Sequence, residues 1–91
     1  MAIIVAGKLY IKPGAREDFI AQSYEAILLA RKNADCIDFA ISPDPIDVNR
    51  VNVFEKWASR TALDAFRNAG PENTLFTLVE SFDVNEYDID E

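Results

Sequence analysis

The chain of 91 residues is 49% apolar and 27% charged, which is typical of one folded domain over residues 1–91 and not of a disordered segment. Its net charge of −7 repels nucleic-acid phosphates. The chain has no histidine and one cysteine, which excludes an internal disulfide, histidine-dependent catalytic triads and the usual zinc sites. Since it also lacks an apolar run of about 18 residues and a signal-peptide pattern, we expect a cytoplasmic protein with neither a membrane nor a nucleic-acid partner.

The first strand, predicted over residues 2–11, is apolar on both faces. Alternation assigns one face to Ile3, Val5, Leu9 and Ile11, and the other face to Ile4, Ala6 and Tyr10. A strand with two apolar faces is covered on both sides in a folded protein. This pattern therefore indicates that something packs against the second face of the sheet.

Apolar periodicity and turn residues predict the remaining elements: helices over 15–33 and 60–68, strands over 36–42, 50–57 and 82–87, and a short helical stretch over 71–79. Ser59 is expected to cap the second helix and Gly70 to end it. Helical spacing puts the apolar positions of the first helix at Phe19, Ile20, Tyr24, Ile27 and Leu28. On the second strand we expect Cys36 to be a small buried hydrophobe and one face to be shared by Ile37, Phe39 and Ile41.

The order β-α-β-β-α-β predicts an α+β, ferredoxin-like fold, in which a four-stranded antiparallel sheet carries its helices on one face. The other face of the sheet, with Ile4 and Tyr10, is too apolar to be left in water. The simplest cover is the same face of a second copy related by a two-fold axis. The sequence therefore predicts a homodimer.

Four stretches, in this order, carry a resemblance to a known family. They are Lys-Pro-Gly after the first strand (12–14), Ala-Arg late in the first helix (30–31), Asp-Cys-Ile-Asp-Phe followed by Pro-Asp-Pro (35–39 and 43–45), and Val-Phe-Glu-Lys-Trp followed by Ala-Leu (53–57 and 62–63). Through them nearly the whole chain resembles the antibiotic biosynthesis monooxygenase family. The resemblance implies a dimeric α/β barrel that oxidises a small phenolic or hydroquinone-type aromatic with O2 and uses no cofactor, neither a metal nor a flavin.

In the implied chemistry the substrate loses a proton, its anion passes one electron to O2, and the two radicals recombine. The protein must supply an apolar pocket, a proton acceptor and donors that hold the anion. The catalytic candidates are Glu55 as the base and Trp57 as a stacking ring and N–H donor, because both lie on one face of the strand 50–57. Each has a structural alternative: Trp57 as a core residue that closes the barrel, and Glu55 as one half of an ion pair.

Four further residues are candidates for substrate binding. Asn52 could bond a substrate carbonyl, although it lies on the opposite strand face from Trp57 and could equally serve the sheet or a loop. Phe66 stands near a place where many family members carry histidine, and it makes that wall apolar. Arg67 could hold an anionic substrate at the pocket mouth or be an exposed helix residue, and Tyr24 could orient a ligand or belong to the core.

Two functions from different classes fit this sequence. The first is a cofactor-independent monooxygenase, and the second is a non-catalytic member of the same barrel superfamily that binds a small ligand or serves as an assembly module. Haem degradation is disfavoured because the chain has no histidine to ligate iron. An ionisable group inside the pocket would distinguish the enzyme from the binding module.

Overall fold

The computed structural model describes residues 1–69 and 74–90. Its elements, in chain order, are β1 (Ala2–Ile11), α1 (Arg16–Lys32), β2 (Cys36–Pro43), β3 (Arg50–Trp57), α2 (Arg60–Ala69), a 3₁₀ turn (Thr74–Leu78) and β4 (Val79–Ile89). The four strands form one antiparallel sheet in the order β2-β3-β1-β4. The predicted β-α-β-β-α-β order and ferredoxin-like fold are thus confirmed.

The largest boundary differences fall in the C-terminal third of the chain. β4 begins three residues before the predicted strand and ends two residues after it, since it spans 79–89 instead of 82–87. The predicted helical stretch over 71–79 is a 3₁₀ turn over its described part, and Val79 already belongs to β4. The predicted helix stop, Gly70, lies outside the described residues, as does the start of that stretch.

The core lies between the helices and one face of the sheet, and its strand residues are those that alternation assigned inward. One cluster of buried residues contains Ile3, Val5, Ala30, Phe39, Trp57, Ala62 and Leu63. A second cluster contains Leu9, Ile11, Phe19, Val51 and Leu75. Each cluster takes three residues from β1 and β3, which occupy the centre of the sheet, and the rest from the elements around them.

Gly7 separates the two clusters in the middle of β1. It pairs with Val53 on β3 and with Val84 on β4, so the inward row of side chains has a gap at its centre. A Cβ atom at this position would overlap the backbone carbonyl oxygen of Asp83. The close approach of β1 to β4 therefore requires glycine here.

A bulge at the start of β2 corrects the prediction for this strand. The register of β2 on β3 shifts between Cys36 and Asp38, so that Cys36 is paired with Trp57. The extra residue inverts the alternation, and Ile37, which we expected on the same face as Phe39, is 53% exposed. Cys36 is partly buried and packs against the cluster around Trp57.

The buried stripe of α1 also differs from the predicted one. Phe19, Ser23 and Ala30 are buried, whereas Tyr24 is 63% exposed and Leu28 is 41% exposed. The buried face of the helix is rotated by about one residue from the predicted one, and two of the three residues buried there, Ser23 and Ala30, have small side chains. The expectation that Tyr24 belongs to the core is wrong. Within residues 1–69 and 74–90, neither helix has the length and apolar composition needed to cross a membrane.

Candidate functional site

The second helix, α2, covers the candidate site. It begins where Ser59 accepts a hydrogen bond from the backbone N–H of Ala62 at 3.1 Å, so the predicted helix cap is confirmed. Ala62 and Leu63 are buried against the sheet, and Phe66, one turn further on, packs against the same cluster. This spacing places the apolar face of α2 over the C-terminal end of β3.

Three aromatic rings are in contact where α2 covers the sheet. Trp57 is fully buried at the end of β3, and its ring centroid lies 4.9 Å from that of Phe66. Phe39 of β2 meets both rings edge-on, at 6.5 Å from Trp57 and 5.9 Å from Phe66. Such edge-to-face and tilted contacts add to the stability gained by burial. The result is an aromatic wall made by β2, β3 and α2.

Glu55 lies next to this wall and is tied to it by a hydrogen bond. The indole Nε1 of Trp57 donates to Oε1 of Glu55 at 2.9 Å. Burial raises the pKa of Glu55 above its usual range, and the negative charge of Glu86 adds to the rise, whereas the Trp57 bond and the Arg67 charge lower it. A carboxylate with a raised pKa beside an aromatic surface is suited to accepting a proton from a ligand.

Charged residues of α2 and β4 line the solvent side of Glu55. Arg67 donates from Nη1 to Oε2 of Glu86 at 3.0 Å, and Arg60 lies 2.8 Å from Oε1 of the same carboxylate. Asp88 is 4.0 Å from Arg60. The two arginines hold the pKa of Glu86 below its usual range. These ion pairs are exposed, so they contribute little to stability. Their importance lies in their position beside Glu55.

The structure does not bring Asn52 or Tyr24 to this site. Asn52 lies on the opposite face of the sheet, where it accepts a bond from Nε of Arg50 at 2.7 Å and donates to Asp44 at 3.0 Å. These bonds match the alternative that Asn52 serves the sheet and a loop. Tyr24 points outward from α1. Of the six predicted site residues, the structure therefore groups Glu55, Trp57, Phe66 and Arg67.

Sequence reasoning missed Glu86. Val5 is paired with Glu55 on one side and with Glu86 on the other, so the two carboxylates share one row of the inward face. Alternation along β4 places Val84 and Glu86 on the same strand face. Only the pairing of β4 with β1 shows that this face is the one that carries Glu55. The pKa of the Cys36 thiol is raised by burial and by the negative charges of Glu55 and Asp38, which disfavours its nucleophilic thiolate form.

Two open grooves on the described surface lie away from Glu55 and Trp57. One, of about 470 Å³, is lined by Phe76, Val79, Glu80, Ser81 and Phe82. The other, of about 340 Å³, is lined by Arg16, Glu17, Ile20, Ala21 and Pro43. Over the described residues, no three side chains of the types that ligate metals come together. The chemistry on offer near Trp57 is therefore that of a carboxylate, a guanidinium and aromatic rings.

The described topology is that of an α+β, ferredoxin-like domain with a carboxylate and a tryptophan at the end of β3. Residues 2–71 match the antibiotic biosynthesis monooxygenase family, and the chain is a member of that family. It is also 39% identical, over 62 residues, to an uncharacterized protein of Synechocystis sp.. The match covers 68% of this chain, which spans only 42% of the length of that relative.

Solved structures share the fold over most of its length. A protein from Shewanella oneidensis is 27% identical with a TM-score of 0.83, covering 94% of this chain and 88% of that one. A candidate antibiotic biosynthesis monooxygenase from Nitrosomonas europaea has the same TM-score of 0.83 and the same coverage, 94% and 88%, at 14% identity. Another candidate monooxygenase of this name, from Deinococcus radiodurans, is 19% identical with a TM-score of 0.81, covering 98% and 93%. At these low identities the last two show the fold alone.

Proposed function

We propose that the protein is a cytoplasmic, cofactor-independent monooxygenase that oxidises a small phenolic or hydroquinone-type aromatic with O2. The observation that carries the proposal is Glu55, a partly buried carboxylate with a raised pKa that accepts the Trp57 N–H beside an aromatic wall. Family membership and the names of similar structures support an oxygenase in general terms. The substrate class is the one that the family resemblance implies, and the aromatic rings and the carboxylate of the site are compatible with an acidic aromatic ligand.

In the proposed reaction Glu55 takes the hydroxyl proton of the substrate. The anion gives one electron to O2, which becomes superoxide, and superoxide then joins the ring carbon of the phenoxyl radical. Glu55 returns the proton to the peroxide, which loses water as the ring carbon gives up its hydrogen, leaving a quinone. One oxygen atom of O2 enters the product and the other leaves as water, and no outside reductant is consumed.

The remaining residues of the site serve this reaction in different ways. Trp57 fixes the Glu55 carboxylate through its N–H, and the partly exposed Phe66, whose ring contacts Trp57, offers the apolar surface against which an aromatic ring stacks. Arg67, which is 45% exposed at the edge of the site, provides the positive charge that attracts the substrate anion. Asn52, on the other face of the sheet, has no part in this step.

Oxygen uptake tests the proposal directly. The purified protein, treated with a chelator and free of flavin absorbance, is incubated with a panel of hydroquinones and anthrone-type phenols in an oxygen-electrode cell. We expect uptake above the autoxidation rate with at least one compound, one water formed per O2 consumed, and no change on adding metals. If activity is abolished by the chelator and restored by a metal, the cofactor-free mechanism is wrong.

A second function, binding without catalysis, is favoured by one observation. The Trp57 N–H is already engaged by Glu55 and its ring is in contact with Phe66, as in a packed core. A binding or assembly module would bind hydroquinones, detectable by quenching of Trp57 emission, without consuming oxygen. Binding accompanied by no uptake across the panel would favour this second function over the first.

We also propose that two copies pair through the outer face of the sheet. On this face Phe54 is paired with Ala6 and Ala40, and Ile4 with Tyr87, which together form an apolar centre. Phe54 is 37% exposed and Tyr87 52% exposed on the single chain. Covering such a face removes apolar area from water, and an obligate dimer of this kind buries more than about 2,000 Å² in total.

Sedimentation of variants tests the pairing. The wild-type chain is expected to sediment as a dimer at micromolar concentration, and Phe54→Asp to sediment as a monomer, because a charge at the centre of an apolar interface is not solvated there. Ile46→Asp is the matched control, since Ile46 is 88% exposed on the β2–β3 loop, and it should remain dimeric. A wild-type chain that stays a folded 10.2 kDa monomer would contradict the proposal.

A further inference from the structure

Glu86 connects two turns of α2 to β4. Arg60 and Arg67 are seven residues apart, so they project from the same side of α2, two turns from one another. The Glu86 carboxylate forms an ion pair with each of them: Arg60 lies 2.8 Å from Oε1 of Glu86, and Arg67 lies 3.0 Å from Oε2. Each arginine thus has its own oxygen, and Glu86 fixes the position of both.

Glu86 also lies in the same row of the sheet as Glu55. Both are paired with Val5, one on each side, so β1 alone separates the two carboxylates, and neighbouring strands are about 4.8 Å apart. Arg67 reaches down from α2, touches Glu86, and is close enough for its positive charge to act on Glu55. The guanidinium of Arg67 therefore bonds to Glu86, and its charge also lowers the pKa of Glu55.

The surroundings of Glu55 leave Arg67 as the group whose placement can vary. Among the residues that the structure describes, the titratable and charged groups that face Glu55 from the packed elements are Arg67 on α2, Glu86 on β4 and Cys36 on β2. Arg31 of α1 is bound to the Phe39 carbonyl at 3.0 Å. Cys36 is held by the packing of β2, and Glu86 by two arginines. Arg67 is 45% exposed, so its long side chain has room to turn towards Glu55 once its bond to Glu86 is lost.

We infer that Glu86 is a positioning residue: by binding Arg67, with Arg60 as its second anchor, it keeps the guanidinium on the β4 side and leaves Glu55 free to accept a proton. This role rests on the proposed function, because it assigns a purpose to the proton acceptor of that site. Without Glu86, Arg67 is released to pair with Glu55. A Glu55–Arg67 ion pair stabilises the charged carboxylate and makes it a weaker base.

The single tryptophan provides a readout that requires no substrate. Trp57 is the only tryptophan in the chain and donates to Glu55, so its emission follows the protonation of that carboxylate. In the wild-type protein we expect a pH-dependent emission change that Glu55→Gln abolishes, which assigns the transition. In Glu86→Gln the midpoint is expected to move to lower pH, because a negative charge is lost and Arg67 is released. Asp88→Asn, 4.0 Å from Arg60, is the matched control and should leave the midpoint in place.

A double variant separates positioning from a direct charge effect. If Glu86 acts through Arg67, the downward shift caused by Glu86→Gln should be smaller in an Arg67→Gln background than in the wild-type background. An equal shift in both backgrounds would overturn the inference, as would a midpoint that stays constant or rises in Glu86→Gln. Thermal melting by circular dichroism confirms that each variant is folded at the pH values used.

Kinetics link the inference to the proposed reaction. The acidic limb of the kcat/KM profile should move to lower pH in Glu86→Gln, in step with the emission midpoint. A protein that consumes no oxygen with any compound would refute the proposed function, whereas the emission titration still decides whether Glu86 positions Arg67. The two failures are therefore distinguishable.

Discussion

Replacing Trp57 by alanine is expected to lower the free energy of unfolding by about 3–5 kcal/mol. The side chain is fully buried and contacts the rings of Phe39 and Phe66. Its removal leaves a cavity at the place where β2, β3 and α2 meet, and it deprives the partly buried Glu55 of its hydrogen-bond donor. This loss is a large part of the stability of a small domain.

Chemical denaturation followed by circular dichroism measures the effect, since the variant has no tryptophan emission. Trp57→Phe serves as the matched variant because it keeps an aromatic ring in the cluster and removes the N–H donor, and it should cost less than Trp57→Ala. An alanine variant with the wild-type denaturation midpoint would show that Trp57 is not a core residue. Its main role would then be in ligand binding.

Most of the fold could be predicted because its signals are local. The alternation along β1 and β3 identified the inward rows correctly, including Val5 and Trp57, since these two central strands pair with each other in a regular register. The side chain that caps α2, Ser59, was recognisable from its type and place before the helix. The pairing of Glu55 with Trp57 on one face followed from the same alternation.

The errors arose where tertiary packing overrides local patterns. The bulge that turns Ile37 outward depends on how β2 meets β3, which no property of the strand sequence specifies. The rotation of α1 buries the small residues Ser23 and Ala30, which hydrophobic periodicity undervalues beside Tyr24. Glu86 was missed because it reaches the site only through the pairing of β1 with β4, a contact between residues distant in sequence.

Replacing Glu55 by glutamine is expected to lower kcat by about 100-fold, with little change in KM. Glutamine keeps the shape of the side chain and still accepts the Trp57 N–H, but it cannot take a proton from the substrate. In the wild-type protein kcat/KM should rise as the pH passes through the raised pKa of Glu55, because the base acts in its ionised form. That acidic limb should vanish in Glu55→Gln, and Glu25→Gln, an exposed change on α1, should keep it.

The pH dependence of stability gives an independent check on Glu55→Gln. Ionisation of Glu55 is expected to raise activity but to lower stability. Burial raises the pKa of Glu55 in the folded state, so its stabilising contribution is complete below the unfolded pKa and is lost as the pH rises through the folded pKa. Glutamine is never ionised, so Glu55→Gln should be at least as stable as the wild type at neutral pH and gain relative to it as the pH rises from the acidic range. If Glu55→Gln is inactive but as stable as the wild type, the variant has lost its catalytic base while keeping its fold. Full activity in Glu55→Gln would assign the proton transfer to another group or to solvent hydroxide.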